Sequence, residues 1–184
     1  MKELSLHILD VAQNSTNAQA TEIRIEILED LFANVFRITI SDNGCGISEE
    51  RLNAITNPFT TSRTTRRVGL GLPLLQAAAE QCNGTMTIES AEEQGTTVRA
   101  TFEHDHIDRQ PLGDIVSTLI GLMTGHPAID FVYHHQVNDR GFTLRTQDIK
   151  QELDDMPISD MSVVNFLTEY IQENIHSLYE EANV

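Results

Sequence analysis

The sequence predicts a mixed α/β protein, because two kinds of hydrophobic periodicity succeed one another along it. Apolar residues recur at every second position over 21–29 and again at Phe36, Ile38 and Ile40. Residues 2–18 and the alanine-rich run 69–82 instead combine apolar positions with good helix formers. Glycine-containing strings stand where these segments meet: Asp42-Asn43-Gly44-Cys45-Gly46, Gly69-Leu70-Gly71-Leu72 and Gly95-Thr96-Thr97. With 184 residues the chain can bury a sizeable core, and it suits one domain or one with a small appendage.

The first helix, 2–18, carries Leu6, Leu9 and Val11. In the strand at 21–29, Ile23, Ile25 and Ile27 face one way and Arg24 and Glu26 the other. A polar turn leads to the strand of Phe36, Ile38 and Ile40, which pairs with the first and delivers Asp42 at its end. Ser48 is placed to cap a short helix through about residue 56. Residues 57–68 lack hydrophobic periodicity and are rich in Thr and Arg, which predicts a mobile loop. The helix at 69–82 takes Pro73 in its first turn and ends at Gly84. Strands at 85–89 and 96–102 flank the Gln94-Gly95 turn.

Residues 104–111 read as a connector. A helix over 112–124, a hairpin of 129–136 with 141–146, and helices around 147–154 and 160–178 follow. The division is thus 1–103 and an acidic α/β extension, 104–184, of αββα type.

The net charge of −16 argues against nucleic acid and anionic membrane surfaces as partners. No apolar run approaches the roughly 20 residues of a membrane span, and the N-terminus lacks signal-peptide features, so a cytoplasmic location is expected. Cys45 and Cys82 form no spaced metal or redox motif. Arg63, Arg66 and Arg67 cluster just before Gly69, where an otherwise acidic chain would tolerate an anion; a solvated basic loop is the alternative.

Asp10 and Asn14 lie four apart on one helix face, with Asn17 a turn further on. A neutral amide suits Mg²⁺ when a nucleotide's phosphates supply the charge, and a carboxylate one turn away can align or deprotonate a nucleophile. A plain polar helix face is the competing reading. Asp42, at a strand end, can accept from the exocyclic amine of a base, while Gly44 and Gly46 permit close approach or φ > 0; a capped turn would look the same. Gly69 and Gly71 open a helix whose N-terminus suits phosphate. Neither the P-loop nor the dinucleotide fingerprint is present.

Taken in order, Asp10…Asn14, Asp42-x-Gly-x-Gly, Asn57-Pro58-Phe59-Thr60-Thr61-Ser62-Arg63, Gly-Leu-Gly-Leu and Gly-Thr-Thr resemble the boxes of the GHKL ATPase superfamily over roughly residues 1–103. That superfamily includes DNA gyrase B, a heat-shock chaperone, histidine kinases and MutL. The segment 9–21 is similar to the MutL version, and 58–72 is closer to sensor histidine kinases.

The resemblance implies a two-layer α/β sandwich, helices on one face of a mixed sheet, with ATP and Mg²⁺ bound under a lid. Asn14 would hold Mg²⁺, with Asn17 beside it, and Asp10 would be the base. Asp42 would read the adenine amine, Gly44 and Gly46 would shape its pocket, and Thr96 would support that end. Phe59, Thr60, Thr61, Arg63 and Arg67 would belong to the lid, and Gly69, Leu70, Gly71 and Leu72 would hug the phosphates.

Two positions depart from the pattern: Asp10 replaces the Glu of hydrolysing members, and Arg67 replaces a lid glycine. Neither a phosphoacceptor hairpin before the first box nor a transducer domain after it is expected, so a phosphoacceptor would lie on a separate protein partner. The same departures, with the short Asp10, motivate a non-catalytic reading. The expected activity is phosphoryl transfer to that partner, on histidine or serine, or slow ATP hydrolysis. A non-catalytic, ATP-gated binding module is the alternative, and a homodimer is compatible with either. His104, His106, His134 and His135 supply no closed metal-ligand set by spacing, and His7 shares the first helix without a defined role.

Overall fold

The computed structural model describes residues 2–50, 52 and 71–180. Its elements run α1 (Leu4–Asn17), β1 (Glu22–Asp30), β2 (Val35–Asp42), α2 (Gly71–Gln81), β3 (Thr85–Ser90), β4 (Thr96–Glu103), α3 (Ile115–Gly125), β5 (Asp130–Val137), β6 (Arg140–Arg145), α4 (Thr146–Glu152) and α5 (Met161–Glu180). The strands form one six-stranded sheet in the order β3-β4-β2-β1-β5-β6. Neighbours are antiparallel except β1 and β5, which run parallel. The hairpin predicted after residue 128 therefore continues the same sheet along β1.

Side-chain parity decides which face is covered. In β1, Ile23, Ile25, Ile27 and Glu29 are buried, while Arg24, Glu26 and Leu28 between them are half-buried. Register carries the same parity across the sheet, with Ile25 opposite Ile40 and beside Tyr133, and Ile40 opposite Val98. Helix α1 packs over β1 and β2, α2 over β3 and β4, α5 over β5 and β6, and α3 fits between α1 and α5. The result is a two-layer α/β sandwich, as the sequence predicts.

Helix α1 buries Leu4, Ile8, Val11, Ala12 and Ser15, a stripe at helical spacing. Its first N–H groups donate to the Pro111 and Leu112 carbonyls at 2.9 and 2.8 Å, so the connector caps this helix. That contact also explains why α3 begins at Ile115 rather than 112. Leu112 is engaged by α1, Gly113 turns at φ +75°, and Asp114 caps the helix by accepting from the Ser117 N–H at 2.9 Å. The Asp114 carboxyl is held low by those bonds to Ser117. Only the start of the helix predicted at 48–56 lies among the described residues, where the Leu52 N–H donates to the Ser48 carbonyl at 2.9 Å.

Thr146 shows how the last strands are fixed. Its buried hydroxyl oxygen accepts the Phe131 N–H at 2.8 Å, joining the start of α4 to the start of β5. Thr146→Val keeps the shape but leaves that N–H unpaired, and is expected to lower unfolding stability by about 1–3 kcal/mol, measurable as a shifted urea midpoint.

At the far end of β1 the inward parity brings a carboxylate, Glu29, into the core with 4% of its surface exposed. Its Oε2 meets His104 Nε2 at 2.7 Å and its Oε1 meets His135 Nε2 at 3.0 Å. The Tyr179 hydroxyl of α5 donates to the same Oε1, and Tyr133 Oη lies 2.9 Å from His135 Nδ1. Burial alone would push the Glu29 carboxyl up. The hydrogen bonds from His135, Tyr179 and His104 outweigh it and hold the pKa at about 2. This network fastens the C-terminal helix to the core. Among the described residues no group of His, Cys, Asp or Glu is arranged to hold a metal, and no helix is long and apolar enough to cross a membrane.

Candidate functional site

Helix α1, the end of β2, the β3–β4 turn and the start of α2 converge at one end of the sheet. This end lies about 20 Å from Glu29, six residues along β1 at roughly 3.3 Å each. Asp42, the last residue of β2, pairs with Ile23 on one side and Thr96 on the other. Ser15 of α1 donates its hydroxyl to Asp42 Oδ2 at 2.6 Å, and the Gly44 N–H donates to Oδ1 at 2.9 Å. Each carboxylate oxygen keeps a further lone pair, so Asp42 is oriented yet still able to accept.

The loop after Asp42 is held by the Asn43 side chain and by its own backbone. Asn43 Oδ1 accepts the N–H groups of Thr21 and Glu22, both at 2.9 Å, and its Nδ2 donates to Thr21 Oγ1 at 2.8 Å. The Cys45 N–H donates to the Ala18 carbonyl at 2.9 Å, and the Glu93 N–H to the Cys45 carbonyl at 2.8 Å. A methyl group on Gly44 would sit 2.7 Å from the Ala18 oxygen; Gly46, at φ +69°, would collide with the Ala91 carbonyl. The space these glycines leave is therefore filled by the chain itself, locking the loop between α1 and the β3–β4 turn.

Thr96 opens β4 directly beside Asp42, and its Oγ1 is 2.9 Å from Ser90 Oγ. Ser90 also accepts the Ile47 N–H and donates to the Gly95 carbonyl, both at 2.8 Å. Ser15, Asn43 and Ser90 hold Asp42 and its neighbouring loops in place, and the sequence alone does not single them out. Ser15 was accessible from its place next to Asn14, on the helix stripe of Ile8 and Val11; Ser90 needs the strand register.

Asp10 and Asn14 lie on successive turns of α1, Asp10 half-buried and Asn14 and Asn17 exposed. Gly71 begins α2 against Asp10: a methyl group there would meet Asp10 Cβ at 2.9 Å and Oδ2 at 3.3 Å. The Asp10 carboxylate thus stands beside the first described turn of α2, and the dipole at a helix N-terminal end favours negative charge. Leu72 is buried in the core, which leaves only its backbone to face a ligand. His7, on the same helix, is also buried, and burial pushes its imidazole pKa down. Asp10, Asn14, Asn17, Asp42, Gly44, Gly46, Gly71, Leu72 and Thr96 are all described. Phe59, Thr60, Thr61, Arg63, Arg67, Gly69 and Leu70, with Arg66, lie outside the described residues.

A family model described as histidine kinase-, DNA gyrase B-, and HSP90-like ATPase matches residues 1–106. The chain is 30% identical over 123 residues to the non-motile and phage-resistance protein of Caulobacter vibrioides, an alignment covering 64% of the chain and 15% of that protein. It is 30% identical over 95 residues to the histidine protein kinase DivJ of the same organism, covering 50% and 16%. The chain thus spans less than a fifth of the length of these relatives. Its fold superposes on the Aquifex aeolicus MutL ATPase domain, solved with ADP, with a TM-score of 0.52 and 16% identity, over 84% of this chain and 68% of that one.

Proposed function

Because the chain belongs to the histidine kinase-, DNA gyrase B-, and HSP90-like ATPase family, we propose that it binds Mg–ATP between α1, the end of β2 and the start of α2. There it transfers the γ-phosphoryl group to a separate protein partner or, more slowly, to water. The observation that carries this reading is the close approach of Gly71 to Asp10, which sets a carboxylate beside a helix N-terminus suited to phosphate.

Asp42 accepts from the adenine amine, its oxygens already aligned by Ser15 and Gly44, with Thr96 supporting that side. The backbone of Gly71 and Leu72 faces the phosphates. Phe59, Thr60, Thr61, Arg63, Arg67, Gly69 and Leu70 complete the site from the sequence. A carboxylate beside a triphosphate requires a counter-cation, and the exposed Asn14 amide, one turn from Asp10 with Asn17 beyond it, fits Mg²⁺, which takes few protein ligands. Bound there, Mg²⁺ would neutralise phosphate charge.

Asp10 acts as the base. It takes the proton of the attacking group, a partner histidine or serine or a water, as the new bond to the γ-phosphorus forms and the bond to the β–γ bridging oxygen breaks, releasing ADP. A second reading, an ATP-gated binding module without chemistry, is favoured by the short reach of Asp10.

Incubation with Mg²⁺ and γ-labelled ATP separates the two. Turnover or label transfer that disappears in Asp10→Asn, with ATP affinity within about threefold of the parent, is the expected result. Binding without turnover, and without transfer to any protein of the native lysate, contradicts the catalytic reading and leaves the module.

A further inference from the structure

We infer that the outer face of α5 is a docking surface for a basic amphipathic helix of another protein. Val163, Leu167, Ile171 and Leu178 bury the inner side of this helix. The outer side carries Phe166 and Tyr170, exposed by 62% and 40%. Their rings stack at 5.8 Å and 13°, and Tyr170 stands edge-on to Phe142 of β6 at 5.6 Å. Phe142 in turn packs edge-on against buried Tyr133 at 6.4 Å. The exposed rings are therefore braced from the sheet outward, the property of an interface residue whose ordering entropy is already spent.

Charge identifies the partner. Glu169 and Glu173 follow Phe166 and Tyr170 by three residues each, so both border the ring pair, and both are exposed. From residue 151 to 184 there are eight acidic residues and no Lys or Arg, so this helix has no lysine or arginine of its own to neutralise them. A second copy of the chain meeting it through the same helix, nucleic acid and an anionic membrane would each bring like charge against like. An α-helix with an apolar stripe flanked by Lys or Arg meets both the rings and the carboxylates, and helical spacing on the two sides matches. Phe166, Tyr170, Glu169 and Glu173 are not among the residues assigned to the nucleotide site.

The test is a titration of the isotopically labelled full chain with a synthetic amphipathic peptide of leucine and lysine, followed by NMR, with a leucine–glutamate peptide as control. Saturable shifts centred on residues 162–173 are expected. Affinity should fall at least about tenfold in Phe166→Ala and should weaken, with a flatter salt dependence, in Glu169→Gln/Glu173→Gln. Phe166 is largely exposed, so its variant should keep the parent thermal midpoint; the glutamate variant tests the same surface without touching the rings. Equal binding by the leucine–glutamate peptide, shifts elsewhere, or affinity unchanged in both variants would overturn the inference. So would a dimer in sedimentation that Phe166→Ala dissociates.

Discussion

Asp42→Ala is expected to raise the dissociation constant for Mg–ATP by about 30- to 150-fold, since a charged hydrogen-bond acceptor is worth about 2–3 kcal/mol. The substitution also removes the acceptor for the Ser15 hydroxyl and the Gly44 N–H. A modest loss of stability without nucleotide should accompany it, which thermal unfolding measures separately. Asp42→Asn isolates base reading from loop support. The parent carboxylate opposes the O6 carbonyl of guanine and should exclude GTP, whereas an asparagine amide can donate to that oxygen. The ATP-over-GTP preference should therefore narrow by at least about tenfold in Asp42→Asn. An unchanged preference would mean that Asp42 supports the loop and does not read the base.

The largest effect on stability is expected at the other end of the sheet. Glu29→Ala strips the shared acceptor from His104, His135 and Tyr179, all in or against the core, and should cost about 3–5 kcal/mol. The pH dependence has a definite sign. The folded pKa of about 2 lies below the ordinary value of 4.5, so the network stabilises the fold above about pH 4.5 and loses that contribution as pH falls toward 2. The shift corresponds to roughly 3 kcal/mol, given that Glu29 is almost fully buried. Urea unfolding of the parent and of Glu29→Gln across this window should show the parent losing about that much more than the variant. Parallel curves would show that the carboxylate carries no such linkage.

Most of the local structure was legible in the sequence because it is dictated locally. The alternation around Ile23–Ile27 and Phe36–Ile40 becomes β1 and β2, and the stretches 129–136 and 141–146 become β5 and β6 within a residue or so. Asp42, Gly44, Gly46 and Thr96 do converge, because strand ends and tight turns are set by neighbouring residues. The parallel pairing of β5 with β1 was not legible, since nothing in either strand names its partner. The Glu29 network had an unread signal. Glu29 shares the parity of Ile23, Ile25 and Ile27, and His135 that of Phe131 and Tyr133, so each strand points a titratable group inward. That the two meet depends on the same long-range pairing. The contact of Gly71 with Asp10 likewise needs the packing of α2 against α1, which spacing alone does not supply.

We propose that this end of the sheet holds Mg–ATP and that Asp10 acts on it. Calorimetric titration with Mg–ATP, followed by phosphate release in the same sample, tests it most directly. Saturable, Mg²⁺-dependent binding that is severely weakened in Asp42→Ala is expected, with slow phosphate release that is lost in Asp10→Asn while binding persists. No heat of binding at millimolar Mg–ATP, or phosphate release unaffected by Asp10→Asn, would contradict it.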